Sequence, residues 1–199
     1  MHAAKLAEEF SGFKSTAAPF SLIISSPYLR CVETAASVAR NLRIPLYLDL
    51  DLGEVFDEEY MPHNANGDPM HRSPDELSAI LARDFPDVVV VRDGDGKVVI
   101  GGTSPIFPEA FESAQLRFTA KAQAHIKHAT RNLASIIMVG HADAVPCVHR
   151  LLNQNGYVPG PVPFCGYIVA ERDVTVARGT SDVRVAAYSA LKGGGVKGR

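Results

Sequence analysis

The sequence lacks any apolar run long enough to cross a membrane. A membrane-spanning helix needs about 20 consecutive apolar residues, and no stretch of these 199 residues approaches that length. The N-terminal MHAAKLAEEF segment also has none of the features of a secretory signal peptide. We therefore expect a protein that neither spans nor binds a membrane and that resides in the cytoplasm.

Cysteine is scarce as well, with three residues that lie far apart in the sequence: Cys31, Cys147 and Cys165. An odd number of distant cysteines argues against a disulfide framework, and no pair has the spacing of a zinc knuckle. Cys31 and Cys147 follow turns into apolar helices, where a free cysteine usually packs as a small hydrophobic residue. The cysteine pattern therefore predicts neither a disulfide nor a zinc knuckle.

The sequence also lacks a marked excess of charge. Its formal net charge is −2, with 20 basic and 22 acidic residues. This balance gives no support to nucleic-acid binding through a basic surface. A hydrophobic fraction of 46% is typical of a soluble globular domain with a substantial core.

Apolar runs and helical patterns alternate along the chain. Short runs predict strands near residues 22–24, 44–52 and 136–139, with further strands within 164–173 and 183–190. Helical spacing predicts helices over the following ranges: 3–10, 27–42, 73–85, 108–131 and 144–152. Strands that alternate with helices indicate a three-layer α/β/α fold around a mostly parallel sheet.

The chain reads as one domain over residues 1–190. Residues 55–107 are rich in acidic residues, Asn, Pro and Gly at their start, and we interpret them as an inserted cap or loop region. The segment KGGGVKGR suggests a flexible basic tail over 191–199.

One junction combines a strand end with features suited to an anion. In SLIISSPYLRCVETA, Ser26 is a good helix N-cap, Pro27 fits the first helical position, and Arg30 falls in the opening turn. A helix N-terminus stabilises anions, and a fixed guanidinium would add a two-pronged clamp. The alternative is that Arg30 is a solvated helix residue paired with Glu33 or Glu9.

Two further junctions end in polar residues of the same kind. His141 follows the strand at 136–139, and Glu54 follows the strand that ends near residue 52. Ligands of open α/β sheets bind beyond the carboxyl ends of the strands, so Arg30, His141 and Glu54 are expected at one edge. Alone, His141 could be a structural residue and Glu54 a solvated carboxylate; their three equivalent positions favour a site.

These stretches resemble the histidine phosphatase superfamily, which has the phosphoglycerate mutase-like fold. SSPYLRCVETA is similar to its Ser-Ser-x-x-x-Arg-x-x-x-Thr-Ala signature, LGEV to the segment of its general acid, and MVGHADAV to its second histidine motif. The Ser-Pro-x-Leu-Arg-Cys stretch at residues 26–31 is especially similar to the corresponding motif of the suppressor-of-T-cell-receptor-signalling phosphatases, a subgroup of this superfamily. The resemblance runs from about residue 1 to 149 and is weak over 57–107.

The resemblance implies phosphomonoester hydrolysis through a covalent phosphohistidine, without metal or organic cofactor. Ser25 and Ser26 would shape the anion pocket, Arg30 and His141 would bind the phosphoryl group, and Glu54 would protonate the leaving group. The partner would be a phosphorylated small molecule or phosphoprotein, with no nucleic acid.

One element of the family pattern is missing from the sequence. The family's nucleophile belongs to an Arg-His-Gly motif at the end of a first strand, and this sequence contains no such motif. We expect either an active phosphatase that is truncated before this strand, or a catalytically inactive relative that binds phosphate or phosphoproteins. Loss of an interior strand would expose a sheet edge, which predicts possible homo-oligomers.

Overall fold

The computed structural model describes residues 5, 6, 8, 10, 19–61, 71–152, 162–176, 183–185 and 190–194. Its elements are β1 (Phe20–Ser25), α1 (Leu29–Leu42), β2 (Leu46–Asp49), a 3₁₀ turn (Leu50–Leu52), α2 (Pro74–Asp84), β3 (Ile100–Gly101), α3 (Phe111–Arg131), β4 (Ser135–Val139), α4 (Ala144–Leu152), β5 (Tyr167–Glu171), β6 (Val174–Val176), β7 (Val183–Val185) and β8 (Ala190–Gly194).

The central sheet contains four parallel strands in the order β3-β2-β1-β4. The register aligns Ser25 at the end of β1 with Leu48 on β2 and with Val139 on β4. The carboxyl ends of these three strands therefore lie at one edge of the sheet. Among the described strands, β4 pairs with β1 alone. The association of copies through an exposed edge of the sheet stays a prediction.

Helices cover both faces of the sheet. Ile23 and Ile24 are adjacent on β1 and point to opposite faces, yet both are fully buried. One apolar cluster joins Ile23 to side chains of α1 and α2, whereas Phe118 of α3 packs in a separate cluster that includes Cys147 of α4. The predicted α/β class with a mostly parallel sheet is confirmed.

The end of β2 is fixed to α3 by buried charges. Asp49 is 1% exposed and accepts a hydrogen bond from His125 Nε2 at 2.7 Å, while Lys121 Nζ lies 2.6 Å from Asp51 Oδ2. Gly102 follows β3 with a φ of 77°, and a Cβ there would lie 2.3 Å from Asp49 Oδ1. A glycine is therefore required where the chain passes this carboxylate.

The predicted start of α1 is wrong by two residues. Helix α1 begins at Leu29, and its N-cap residue is Tyr28, which makes no capping hydrogen bond through its side chain. The Ser26 hydroxyl is used elsewhere, because it pairs with His141 and accepts a hydrogen bond from the Tyr28 N–H. Arg30 nevertheless lies in the first turn, as predicted.

Other boundaries also need correction. The strand predicted over 44–52 ends at Asp49, because the Asp49 carboxylate accepts from the Asp51 N–H and turns the chain into the 3₁₀ segment. Within the region predicted as an insertion, 55–107, β3 pairs with β2 of the central sheet, and the insertion itself stays a prediction. Residues 62–70 of that region lie outside the described residues.

The predicted tail over 191–199 is wrong for its first four residues. Leu191 to Gly194 belong to β8, which pairs antiparallel with β5. Strands β6 and β7 form a second antiparallel pair. Residues 195–199 lie outside the described residues.

Candidate active site

Four of the predicted site residues lie together at the carboxyl edge of the sheet. Ser26 follows β1, Arg30 lies on the first turn of α1, Glu54 follows the 3₁₀ turn after β2, and His141 follows β4. The parallel register brings these junctions side by side, and the Ser26 N–H extends it by donating to the Val139 carbonyl at 2.9 Å.

His141 is held on both ring nitrogens. Its Nε2 lies 2.8 Å from Ser26 Oγ, and its Nδ1 lies 3.0 Å from Glu54 Oε2. Because an ionised carboxylate only accepts, we assign the proton to Nδ1, and the Ser26 hydroxyl donates to Nε2 while accepting from the Tyr28 N–H. The imidazole is thus fixed in one tautomer, with 2% of its side chain exposed.

Arg30 reaches the same carboxylate from the solvent side. Its Nη2 donates to Glu54 Oε2 at 2.9 Å and lies 2.9 Å from His141 Nδ1, so two N–H groups converge on one oxygen. The guanidinium also lies 5.0 Å from the centroid of the Tyr28 ring. With 60% of its side chain exposed, Arg30 keeps most of its donors in contact with solvent.

The Glu54 carboxylate bridges Arg30 and His141. Burial alone would raise its pKa, but the hydrogen bond from His141 and its electrostatic attraction, together with the Val55 N–H and Arg30, outweigh burial and lower that pKa. Glu54 is therefore ionised at neutral pH.

Ser25 is not brought into this group. Its side chain is fully buried, and its hydroxyl donates to the Ser26 carbonyl at 2.9 Å. The structure therefore gives Ser25 a backbone partner, whereas Ser26 contacts His141.

The neighbouring thiol is chemically inert. Cys31 Sγ lies 3.8 Å from His141 Nε2 and donates to the Gly140 carbonyl at 3.4 Å. Burial raises the pKa of Cys31 to about 12, so the thiolate that a cysteine nucleophile requires does not form at neutral pH. The sequence-based interpretation of Cys31 as a packing residue agrees with this environment.

A second histidine lies near the site and was overlooked in the sequence. His71, which falls in the irregular region before α2, lines a small apolar cavity together with Glu54 and Phe56. Its ring lies 6.2 Å from the Tyr28 ring, centroid to centroid, and its Nε2 lies 3.3 Å from Ser104 Oγ. No sequence pattern marked it, because residues 57–72 follow neither helical nor strand periodicity.

Sequence reasoning also missed a buried ion pair behind Glu54. Arg117 on α3 binds the Glu109 carboxylate through two nitrogens, with side-chain exposures of 11% and 7%. The sequence contained one indication of this pair. Arg117 is a charged residue that directly precedes Phe118, a buried member of the apolar stripe of α3.

Neither a metal centre nor a membrane span is found in the described part of the chain. No group of three His, Cys, Asp or Glu side chains there could hold a metal ion. No helix among those residues is long and apolar enough to cross a membrane.

Comparison with known families supports the resemblance. Residues 1–89 match the family described as the histidine phosphatase superfamily (branch 1). The predicted resemblance to this family is confirmed over this part of the chain. The match includes Ser26, Arg30 and Glu54, whereas His141 lies beyond it. The subgroup stays a prediction, and no curated protein matches this histidine phosphatase-like chain.

A solved structure shares its fold. The crystal structure of the ecdysone phosphate phosphatase (EPPase) from Bombix mori in complex with tungstate matches with a TM-score of 0.54 and 20% sequence identity. The match covers 96% of this chain and 64% of that one, so this chain spans less than two thirds of the relative. At this identity the likeness shows the phosphoglycerate mutase-like fold alone.

Proposed function

We propose that Arg30, His141 and Glu54 form a site that binds the phosphoryl group of a phosphomonoester and supports its hydrolysis. The observation that carries this proposal is the convergence of a guanidinium, an imidazole and a carboxylate from three separate strand ends on one point. This combination supplies two hydrogen-bond donors for phosphate oxygens, one of them cationic, and a group able to carry a proton.

The exposed guanidinium would make the first contact with the anion. Arg30 is fixed by Glu54 and the Tyr28 ring but remains 60% exposed, so an oxyanion can approach its free donors from solvent. As the anion displaces the Glu54 carboxylate, His141 Nδ1–H becomes available to a second phosphate oxygen. Charge developing on those oxygens during phosphoryl transfer would then meet two fixed donors.

Glu54 would act on the leaving group. Freed from Arg30 and His141 and placed beside an anion, its carboxyl group binds a proton more readily than in the unliganded site. A protonated Glu54 can donate to the departing oxygen and afterwards accept a proton from water. His141 is not the phosphoryl acceptor, because its Nε2 is engaged by Ser26 and its Nδ1 carries a proton. In this proposal water is the acceptor: a bond forms between the water oxygen and phosphorus as the bond to the leaving oxygen breaks, and the Glu54 carboxylate takes the proton that the water loses.

A second candidate function is phosphate or phosphoprotein binding without turnover. It is favoured by one observation, the absence of an Arg-His-Gly motif from the sequence. The same three residues would then recognise a phosphorylated ligand, small molecule or phosphoprotein.

The test compares Arg30→Ala with Arg72→Ala. Both arginines are similarly exposed, at 60% and 57%, and each pairs with one glutamate, but Arg72 lies beside α2 rather than in the site. We expect Arg30→Ala to weaken tungstate binding by about 1.5–3 kcal/mol, roughly 10- to 150-fold, and Arg72→Ala to leave it unchanged. Calorimetry gives the affinity, and p-nitrophenyl phosphate hydrolysis gives turnover.

The outcomes separate the candidates. Hydrolysis that Arg30→Ala abolishes supports the phosphatase, whereas tungstate binding without hydrolysis supports the binding protein. If wild-type protein binds no tungstate, or if both variants bind it equally, the proposed site is overturned.

A further inference from the structure

Glu54 lies in a segment without regular secondary structure, between the 3₁₀ turn and Phe56. Gly53, Val55 and Phe56 are nevertheless buried, so the peptide groups of this segment need hydrogen-bond partners from elsewhere. Two residues, Arg117 and Glu109, supply most of the partners that the structure shows; the Leu50 carbonyl and the Glu54 side chain supply the others.

Arg117 holds the carbonyl groups on the N-terminal side of this segment. Its Nη1 donates to the carbonyls of Asp51 at 2.8 Å and Gly53 at 3.0 Å, and its Nη2 donates to the carbonyl of Glu54 itself at 3.3 Å. One guanidinium thus holds three carbonyl oxygens up to and including the one of Glu54.

Glu109 holds the C-terminal side. Its Oε2 accepts from the Phe56 N–H at 3.2 Å, and its own N–H donates to the Phe56 carbonyl at 2.7 Å. The same carboxylate binds Arg117 through two contacts of 2.8 and 2.7 Å, so the two anchors form one rigid unit. The backbone is fixed immediately before and immediately after the Glu54 side chain.

We infer that Arg117 and Glu109 are positioning residues for Glu54: by fixing its backbone they set where its carboxylate meets Arg30 and His141. The significance of this position rests on the proposed function, in which Glu54 is the proton donor. Among the described residues, neither positioning residue has a hydrogen bond or ion pair to Arg30 or His141, so we expect an effect on the site to pass through Glu54.

A lysine cannot replace Arg117 in this role. The guanidinium places donors along two edges of a plane and binds the carboxylate and the carbonyls together, whereas an ammonium is a single point charge. Arg117→Lys therefore keeps the positive charge near Glu54 but removes the planar set of donors that binds the Glu109 carboxylate and the backbone carbonyls together. Glu109→Asp likewise keeps the charge but shortens the side chain that spans Arg117 and Phe56.

The test measures the titration of Glu54 directly. The carboxyl ¹³C resonance of Glu54, identified by its loss in Glu54→Gln, is followed against pH in wild type, Arg117→Lys, Glu109→Asp and Arg40→Lys. The control, Arg40, also binds a carboxylate and a carbonyl, those of Asp87 and Asp84, but lies away from the site.

We expect the pKa of Glu54 to rise toward the ordinary glutamate value in Arg117→Lys and Glu109→Asp, because the carboxylate loses its alignment with His141 and Arg30. Arg40→Lys should leave it unchanged. A purely structural role would lower the melting temperature of the two variants with no movement of the Glu54 pKa, and that result would overturn the inference. If Arg117→Lys does not fold, Glu109→Asp decides.

Tungstate binding by wild-type protein is measured in parallel. If tungstate does not bind while the Glu54 pKa shifts as expected, the proposed function fails and the positioning role stands. If tungstate binds and the pKa does not move, the positioning role fails alone.

Discussion

The Arg117–Glu109 and Arg30–Glu54 pairs of this fold differ in their exposure to solvent and in the partners of their arginines. Arg117 and Glu109 are 11% and 7% exposed, whereas Arg30 and Glu54 are 60% and 15% exposed. All three guanidinium nitrogens of Arg117 bond to protein oxygens. Among the described residues, Arg30 contacts Glu54 and His141 through Nη2 alone.

The difference shows how burial separates a structural arginine from a ligand-binding one. A buried ion pair is costly to break, because the remaining partner is left as an unpaired charge in a medium of low polarity. An exposed arginine exchanges its carboxylate for another anion at little cost, since water screens both states. The predictions below test this contrast, in order of decreasing effect.

The largest effect is expected when the buried pair is broken. Arg117→Ala should lower the free energy of unfolding by about 3–5 kcal/mol, since Glu109 and three backbone carbonyls lose their donor. Arg40→Ala, which breaks an exposed pair, should cost no more than about 1 kcal/mol. Urea denaturation followed by circular dichroism measures both. A cost for Arg117→Ala as small as that of Arg40→Ala would contradict the contrast.

The next effect distinguishes two adjacent buried serines. Ser26→Ala should cost about 1–3 kcal/mol of stability, because the Tyr28 N–H and His141 Nε2 both lose their partner. Ser25→Ala is the matched control, since its hydroxyl bonds only to the carbonyl of the next residue. We expect a smaller cost there, measured by the same denaturation curves, and tungstate affinity should fall in Ser26→Ala alone.

A third substitution tests the role of the Arg30–Glu54 pair. Glu54→Gln removes the internal anion from Arg30 and His141, so tungstate should bind at least about fivefold more tightly, a gain of about 1 kcal/mol. Any p-nitrophenyl phosphate hydrolysis should fall in the same variant, because the proton donor is lost. Opposite movements of affinity and turnover are expected; a parallel loss of both would assign Glu54 a structural role only.

The smallest effect concerns pH. The pKa of Glu54 is lowered in the folded protein, so its contribution to stability is present above the ordinary value of 4.5 and is lost as the pH falls through the folded-state pKa. Wild-type protein should lose more stability than Glu54→Gln between pH 5 and acid conditions. Thermal melts of both proteins across this range measure the difference, and parallel curves would show that Glu54 is not ionically bound.

The strands and most helices could be predicted because their apolar spacing is local. The run Leu22–Ile24, the stripe around Val32 and the capping box at Ser73 depend on neighbours within one or two turns. The convergence of Arg30, Glu54 and His141 could also be predicted, since parallel strands end at one edge.

The remaining features depend on contacts between distant segments. Ser26 fails to cap α1 because His141 takes its hydroxyl, and α3 begins at Phe111 rather than at 108 while Glu109 turns back to bind the backbone of Phe56. The position of His71 beside the cavity likewise follows from packing of a segment without periodicity. The spacing of apolar residues within a segment does not indicate which distant residues it will contact.

The hydrogen bond between Ser26 and His141 joins residues 115 positions apart. Closing a loop of that length has an entropic cost that only long-range contacts recover, and chains rich in such contacts fold slowly. The imidazole is therefore captured only when β4 docks beside β1, after much of the chain has been synthesised. Oxyanion binding during refolding would thus appear with the slow, topology-limited phase, whereas the helical signal would develop earlier.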